Sequence, residues 1–373
     1  MSELNASNLR KEHGNEGPDL VGTTELTSPY FMVPPSGTTE QRPQNPQKGT
    51  LRFNTDIGSL EYFKGDTIGW EQIQRTTPNL NGGTRGLYMG GSTGSPSTFL
   101  NVIEYITVST LGDATDFGDL TAAKTSTNAF GSRTRGANCG GVTPTLQSDT
   151  DMVFFSSLGN ATDYATLSAG KKEATVVNDQ TRAVHIGGGN NIMEYLTIEA
   201  GGSWVDFGDM TTASEQCMGL SSSTRGVSAH GNQVPGGLVN NIDYITIATT
   251  GNASDYGDLT DGRYGGASGS NATRGCFSGG WSPSVVNIID YVTTASTGNA
   301  IDFGDMTQSK YSMSGSTSSQ TRMVINGGHQ NPSPHIDTIE YWEFATTGNG
   351  VDFGNLAAAK SSGGQCSNGH GGL

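Results

Sequence analysis

A Thr-Arg pair recurs through this chain at nearly constant spacing. The gaps between successive pairs are 50, 47, 43, 49 and 48 residues. Each pair precedes a short apolar stretch that ends in glycines, and an apolar-acidic-aromatic segment such as 102–106 follows. A variant of Thr-Asp-Phe-Gly-Asp-Leu, as at 115–120, closes each unit. The pairs are Thr84-Arg85, Thr134-Arg135, Thr181-Arg182, Thr224-Arg225, Thr273-Arg274 and Thr321-Arg322.

The repeat predicts an all-β fold. The first unit offers strand candidates at 86–89, 102–108, 116–120 and 126–131, so four strands are expected per repeat. A period near 48 residues built from short alternating strands is typical of a closed β-propeller. The 55 glycines indicate many tight turns, and no window shows sustained helical periodicity.

The two ends of the repeat region predict how it closes. No convincing small-residue strand precedes the first Thr-Arg pair, whereas the last unit ends with a strand of that type at 358–367. The C-terminal segment is therefore expected to complete the sheet of the first unit and to leave no free edge there. Residues 81–373 are predicted to form a six-bladed propeller closed by the C-terminal strand.

The N-terminal region has a different composition. Residues 1–49 space their prolines too closely for a helix and predict an extended Pro-rich anchoring arm. Residues 50–80 predict a small antiparallel β-meander that serves as an attachment module and needs docking or oligomerisation for stability. The arm contains one apolar cluster, which a neighbouring subunit would bury, although a floppy leader would explain the composition equally well. The cluster is Tyr30, Phe31, Met32 and Val33.

Charge and apolar patterning exclude several classes of protein. The formal net charge is −15, and residues 81–373 carry 25 acids and 13 bases, which argues against binding to nucleic acid. No apolar run is long enough to span a membrane, and the N-terminus lacks the features of a secretory signal. The four cysteines are far apart without metal-type spacing, so we expect free, buried thiols and assembly in a reducing cytoplasm.

The repeated arginines predict a structural ring. The loops before each Thr-Arg pair and before each Asp-Phe pair are expected at the same end of the sheets, where ion pairs would fix the register. A ring of ligands for an anion is the alternative, but six-fold repetition favours the structural role. The predicted pairs join Arg85, Arg135, Arg182, Arg225, Arg274 and Arg322 to Asp116, Asp163, Asp206, Asp255, Asp302 and Asp352.

The loops that follow the glycines differ in every unit and are the candidate binding elements. Repeat scaffolds place variable loops at one face, and binding commonly resides there. Drift in unselected loops would produce the same variation. The candidate residues are Phe99, Gln147, Gln233, Trp281, His329 and His335, of which Trp281, His329 and Phe99 suit stacking on a sugar or anchoring to a protein.

No motif for catalysis, a metal or a cofactor stands out. There is no nucleophile elbow, phosphate-binding loop or His-Glu-x-x-His pattern, and His329 and His335 form only a loose pair within one loop. The acidic turns lack the complete pattern of a calcium loop. We therefore expect a non-enzymatic protein with no cofactor and no metal.

The repeat resembles the kelch repeat. In both, Gly-Gly ends a strand, a tyrosine follows, and an aromatic strand precedes a basic residue. Kelch repeats carry tryptophan at the aromatic position, where this chain has Phe or Tyr, so the match is divergent; it covers roughly 80% of the chain. The aromatic residues are Phe117, Phe207, Tyr256, Phe303 and Phe353.

A second resemblance involves the N-terminal region. A string from Pro35 to Trp70, with Arg42-Pro43, Arg52-Phe53-Asn54 and Glu61-Tyr62, is similar to a module of tailed-phage virion proteins, often fibres and other appendages. This implies a bacteriophage virion protein, assembled in the host cytoplasm, that attaches through its N-terminus and presents its repeats to a host-surface glycan or protein.

The expected partners are other virion proteins and further copies of the chain, without nucleic acid or membrane insertion. A purely architectural role in a tail, neck or capsid decoration is the alternative. A carbohydrate-active enzyme on a propeller scaffold is a third, less favoured class, because fold alone does not exclude it.

Overall fold

The structure is a computed structural model of the chain and is all-β. It describes residues 34–56, 59–67, 69–72, 84–94, 97–330 and 335–373. The chain divides into two compact units, Met1–Thr77 and Pro78–Leu373. Among the residues that the structure describes, no helix has the length and apolar character needed to cross a membrane. The predicted apolar cluster Tyr30, Phe31, Met32 and Val33 lies outside the described residues.

The first unit contains a small twisted sheet. The predicted three-stranded meander is present as Leu51–Asn54, Ser59–Phe63 and Trp70–Gln72, paired antiparallel in that order. A fourth strand, Ser36–Gly37, pairs in parallel with Leu51–Asn54. A short 3-10 helix, Thr39–Gln41, connects them. Residues 36–37 of the predicted arm are thus extended and hydrogen-bonded to the sheet.

A buried carboxylate organises this sheet. Glu61 is 0% exposed and lies 2.6 Å from Arg42 Nη2 and 3.4 Å from Arg52 Nη1. Asn54 donates its amide to Glu61 at 3.2 Å. Both guanidinium groups lie 5.9 Å from the ring of Trp70. The hydrogen bond from Arg42 lowers the pKa of Glu61 against the opposing effect of burial.

The second unit repeats one sheet along the chain. Each Thr-Arg pair begins a strand that hydrogen-bonds on one side to the apolar-acidic-aromatic strand, which pairs in turn with the Asp-Phe strand. The Thr-Arg strands are Arg85–Met89, Arg135–Cys139, Arg182–Gly187, Arg225–Ala229, Arg274–Ser278 and Arg322–Asn326. The next strands are Val102–Thr107, Asp149–Phe154, Asn190–Thr197, Asn241–Thr246, Ile288–Thr293 and Thr338–Glu343. The outer strands are Thr115–Asp119, Thr162–Thr166, Val205–Glu215, Ser254–Asp258, Ile301–Asp305 and Val351–Asn355.

In five of the six sheets, a small-residue strand pairs with the other side of the Thr-Arg strand. The sixth sheet has three strands among the described residues, so the prediction of four strands per repeat is wrong there. The small-residue strands of the five sheets are Asn128–Gly131, Ala174–Asn178, Met218–Ser221, Ala267–Ser270 and Gly364–Ser367. The last of them pairs antiparallel with Arg85–Met89, from Gly364 opposite Met89 to Ser367 opposite Gly86. The predicted use of the C-terminal strand in the first sheet is thus confirmed. Ser314–Gly315 pairs in parallel with that strand, and a further short strand, Gly202–Ser203, pairs with Thr162–Thr166.

Apolar side chains pack between consecutive sheets. Leu220 of the fourth repeat, for example, shares a buried cluster with Phe277 of the fifth. Equivalent clusters join the other neighbours along the chain. A further cluster contains Tyr88 and Ile106 of the first repeat together with Val324 and Phe353 of the last. The hydrophobic core of the second unit therefore lies between sheets rather than within any one of them.

The acidic motif forms a backbone contact between neighbouring repeats. Gly348 donates its N–H to the carbonyl of Phe303, and Gly350 donates to Asp305. The Asn349 side chain accepts the N–H of Asp305 at 3.1 Å. Gly304, with φ +147°, lies so close that a Cβ there would be 2.5 Å from the Gly348 oxygen. Glycine is therefore required where the loop of one repeat lies against the outer strand of the preceding repeat.

Gly304→Ala is expected to destabilise the second unit through this contact. Gly298→Ala is the matched control, because Gly298 has a similar φ of +152° and nothing within 4 Å of a Cβ. Both variants carry the conformational cost, of ~1–3 kcal/mol. Urea unfolding should show a further loss of about 1–3 kcal/mol for Gly304→Ala. Equal midpoints for the two variants would contradict the contact.

Glu61 should make the first unit sensitive to acid. Since its pKa is lower in the folded state, its contribution is present above the unfolded-state pKa of about 4.3 and is lost as the pH falls through the folded-state value. Glu61→Gln should lower one calorimetric transition of the full chain at pH 7 by about 5 °C or more. The same variant should remove the acid dependence of that transition.

Glu71→Gln serves as the control, because Glu71 pairs with Lys64 at the exposed surface. Little change is expected for it at pH 7. An unchanged acid profile in Glu61→Gln would contradict the role of the buried carboxylate.

Candidate functional site

The Thr-Arg arginines lie half-buried across aromatic rings of their own sheets. The guanidinium of Arg85 is 4.7 Å from the ring centre of Tyr105, and that of Arg322 is 4.3 Å from Tyr341. Such stacking is an attraction between the cation and the ring face. The same contact joins Arg182 to Tyr195, Arg225 to Tyr244 and Arg274 to Tyr291, while Arg135 lies 5.7 Å from Phe154 and from Tyr164.

These arginines also connect each repeat to another. Each Nη1 donates a hydrogen bond to a backbone carbonyl at the end of the apolar-acidic-aromatic strand of the next repeat. Arg322, in the last repeat, donates to Val108 of the first at 3.1 Å. The other accepting carbonyls belong to Phe155 for Arg85, Ile198 for Arg135, Ile247 for Arg182, Thr294 for Arg225 and Phe344 for Arg274.

The predicted arginine–aspartate ion pairs are absent from the described residues, so that prediction is wrong. The acids that do contact these arginines are Glu199, 3.0 Å from Arg135, and Glu343, 2.8 Å from Arg322. The aspartates directly precede the inward-facing aromatic residues, and alternation along a strand turns them to solvent. The exposed aspartates are Asp116, Asp163, Asp206, Asp255, Asp302 and Asp352.

A different set of charges is buried between repeats. The acid that directly precedes the tyrosine position is at most 3% exposed in every repeat. It binds a cation from the loop that follows the preceding outer strand, as in Lys310–Glu340 at 2.7 Å and Arg263–Asp290 at 2.8 Å. The remaining pairs of this type are Lys124–Asp151, Lys171–Glu194 and Lys360–Glu104.

The sequence contained a signal for these pairs. A charged residue recurs between apolar residues in a strand, and a lysine or arginine recurs just before the small-residue strand. Because buried charges are almost always paired, the two recurrences together predict an ion pair. The partners belong to different repeats, so alignment within one repeat did not bring them together.

Between the third and fourth repeats, a histidine replaces the lysine as partner of the buried acid. Ser214 stands at the lysine position, and Asp243 instead lies 2.7 Å from His230 Nε2. Ser214 Oγ is 3.2 Å from His230 Nδ1, and the hydroxyl of Thr211 donates to Asp243 at 2.7 Å. Serine, histidine and carboxylate also form nucleophilic triads. Here all three are 3% exposed or less, so the serine has no access to a substrate and the cluster is structural.

Four of the variable loops form two-stranded ribbons among the described residues, at the end of the sheets opposite the arginines, here called the ribbon end. Phe99, Gln147 and Gln233 are half-buried in or beside separate ribbons, and the structure does not bring them together. Gln147 folds back to hydrogen-bond Thr145 of its own ribbon. The ribbons are Ser92–Thr93 with Thr98–Phe99, Val142–Thr143 with Thr145–Leu146, Asn232–Gln233 with Gly237–Leu238, and Trp281–Ser282 with Ser284–Val285.

Three of the predicted binding residues do come together. Trp281 contacts Tyr311 with ring centres 5.6 Å apart, Tyr311 contacts His329 at 5.1 Å, and His329 contacts His335 at 5.4 Å. Every contact is edge to face, and all four rings are half-buried. Burial lowers the pKa of His329, and the nearby His335 lowers it further. We call Trp281, Tyr311, His329 and His335 the aromatic string; Tyr311 was not predicted.

A ring of backbone hydrogen bonds lies beside the ribbons. Glu173 donates its N–H to Ser126, Gly265 donates to Gln216, and Ser362 donates to Ser312. The described residues of this ring occur once per repeat with positive φ, and they line a cavity of about 40 Å³. That volume suits about one water molecule rather than a ligand. The ring consists of Ser126, Glu173, Gln216, Gly265, Ser312 and Ser362.

The four cysteines are free and buried, as predicted. Burial raises the pKa of each thiol to about 12, so none is activated as a nucleophile. Within the ranges that the structure describes, no three His, Cys, Asp or Glu side chains are grouped to hold a metal ion. Comparisons of this chain with protein-family models and with curated proteins gave no match.

The pair His230–Asp243 provides a test of the buried charges. His230→Ala should cost about 3 kcal/mol, because it leaves Asp243 buried without its imidazole partner. Adding Ser214→Lys should recover at least half of that loss, since the equivalent position carries a lysine in four of the other repeats. Urea unfolding of the wild type, both single variants and the double variant measures the coupling. If the free-energy changes of the two single variants simply add up to that of the double variant, the coupling between positions 214 and 230 is contradicted.

Proposed function

We propose that the second unit is a closed six-bladed β-propeller of the kelch type. Three features support this architecture. The C-terminal strand belongs to the first sheet. A buried apolar cluster joins the last and first repeats. The ion pair Lys360–Glu104 and the hydrogen bond from Arg322 to Val108 repeat, between the last and first repeats, the contacts that other neighbours make.

We further propose that the chain is a structural protein of a tailed-phage virion, attached to other virion proteins through its N-terminal region. The support is the likeness of the string 35–70 to a module of such proteins. Several residues of that string, Arg42, Arg52, Asn54, Glu61 and Trp70, meet around the buried carboxylate of the first unit. The likeness therefore includes residues that contact the buried carboxylate of this sheet.

The proposed role of the second unit is recognition of a host surface. The observation that carries it is the contrast between two kinds of position. Contacts between sheets recur from repeat to repeat, whereas the ribbons differ in length and side chains. A rigid scaffold that presents unlike loops at one end is suited to binding a glycan or a protein. No chemical step is required for this function.

A pair of variants separates attachment from recognition. Glu61→Ala should unfold the first unit and reduce incorporation into virus particles at least tenfold. Trp281→Ala should leave incorporation unchanged and reduce retention of host cells by the purified chain. The measurements are copy number per particle, by quantitative blotting, and cell pull-down.

The outcomes distinguish the alternatives. Normal copy number of the Glu61→Ala variant would contradict the anchoring role. Binding to virion proteins without any retention of host cells would instead indicate the architectural role.

A further inference from the structure

We propose that the aromatic string, together with the amide pair Gln308 and Gln330, is a binding site for a neutral glycan. This inference rests on the proposed recognition role of the ribbon end and adds the class of ligand. The string begins in the fifth repeat at Trp281 and continues through Tyr311 to His329 and His335. It reaches the first repeat, because His335 Nε2 lies 3.3 Å from the carbonyl of Gly94.

The rings are prepared for stacking. Each is half-buried and held by its neighbours, so a ligand would meet side chains that have already lost most of their freedom. His335 is further fixed by a 2.9 Å contact between its Nδ1 and Ser361 Oγ. The face of an aromatic ring carries negative potential and attracts polarised C–H groups. A sugar ring presents such groups on one face, which makes it a fitting partner for Trp281.

Neutral hydrogen-bonding groups lie beside the rings. Gln330, next to His329, donates its amide to Gln308 Oε1 at 2.6 Å. This bond uses one of the two N–H groups of Gln330 and one lone pair of Gln308. The NH2 group of Gln308 and the carbonyl oxygen of Gln330 take no part in this bond, so the pair offers both donors and acceptors at fixed positions. Sugar hydroxyl groups need that combination, since each both donates and accepts.

The charges near the string select against anionic ligands. The adjacent cations Lys310 and Lys360 are 0% and 2% exposed, and each is bound to a buried glutamate. The exposed acid Asp261 accepts a hydrogen bond from Ser282, which follows Trp281. Phosphate, sulfate or uronate groups would therefore meet negative charge without an accessible cation among the described residues of the string.

Other ribbons at the ribbon end provide positions for control variants. Ribbons of the second and fourth repeats expose aliphatic side chains, with Leu146 53% and Leu238 40% exposed. They carry neither aromatic rings nor an amide pair of this kind. Substitutions there alter the same end of the sheets without altering the proposed site.

The experiment is titration of the full chain, by calorimetry and tryptophan fluorescence, with neutral oligosaccharides of glucose, galactose, mannose and N-acetylglucosamine. Dextran sulfate and polygalacturonate are the anionic probes. At least one neutral oligosaccharide should bind. Trp281→Ala and Gln330→Ala should each weaken that binding at least tenfold, or about 1.4 kcal/mol, whereas Leu238→Ala should leave it unchanged. Gln330 is a half-buried loop residue outside the apolar clusters, so its variant tests the site even if Trp281→Ala fails to fold.

The remaining outcomes overturn the proposal. These are no binding of any neutral probe, binding of the anionic probes alone, or equal affinity in Gln330→Ala and the wild type. Host-cell retention without binding of neutral glycans would overturn this inference and leave the recognition role standing. Glycan binding without host-cell retention would support the glycan site and overturn the proposed recognition of a host surface.

Discussion

The second unit depends on carboxylates that are neutralised by cations from another repeat. Glu340, for example, is 1% exposed and has its charge balanced by Lys310 of the preceding repeat. A buried ion pair adds little net stability, because desolvation offsets the attraction, but removing one partner is costly. Each sheet therefore tolerates burial of its own charge only beside its neighbour. The apolar clusters also combine side chains of two sheets, so each sheet needs its neighbour to bury its apolar surface. Individual repeats are therefore not independent folding units.

Much of the backbone follows from the sequence because the repeat period and the alternation of apolar residues are local properties. They predicted most strands of the six sheets, the meander near residue 60, and the pairing of the last strand with the first sheet. The predicted partner of Arg85 was wrong for a physical reason. Its guanidinium covers Tyr105 and reaches a carbonyl of the next repeat, and a comparison confined to one repeat does not reveal either contact.

The candidate site was predictable only in part. Trp281 and His329 were identified as residues of variable loops, but they belong to different repeats and meet through Tyr311. Tyr311 occupies a position that carries Tyr264 in the fourth repeat and Thr125 or Ser361 in others, and this variation alone did not indicate a binding role. Phe99 and Gln233 carried the same kind of signal and lie apart from the string. Spatial convergence of loops is a tertiary property that single loops do not encode.

The strand Gly364–Ser367 has a consequence for biosynthesis. Its partner, Arg85–Met89, leaves the ribosome about 280 residues earlier and meanwhile presents an unpaired strand edge. Closing a loop of that length is slow compared with forming local hairpins. During translation the first sheet therefore has an unpaired strand edge, whose free N–H and C=O groups can pair with another chain. Such pairing leads to aggregation or to exchange of strands between copies on neighbouring ribosomes.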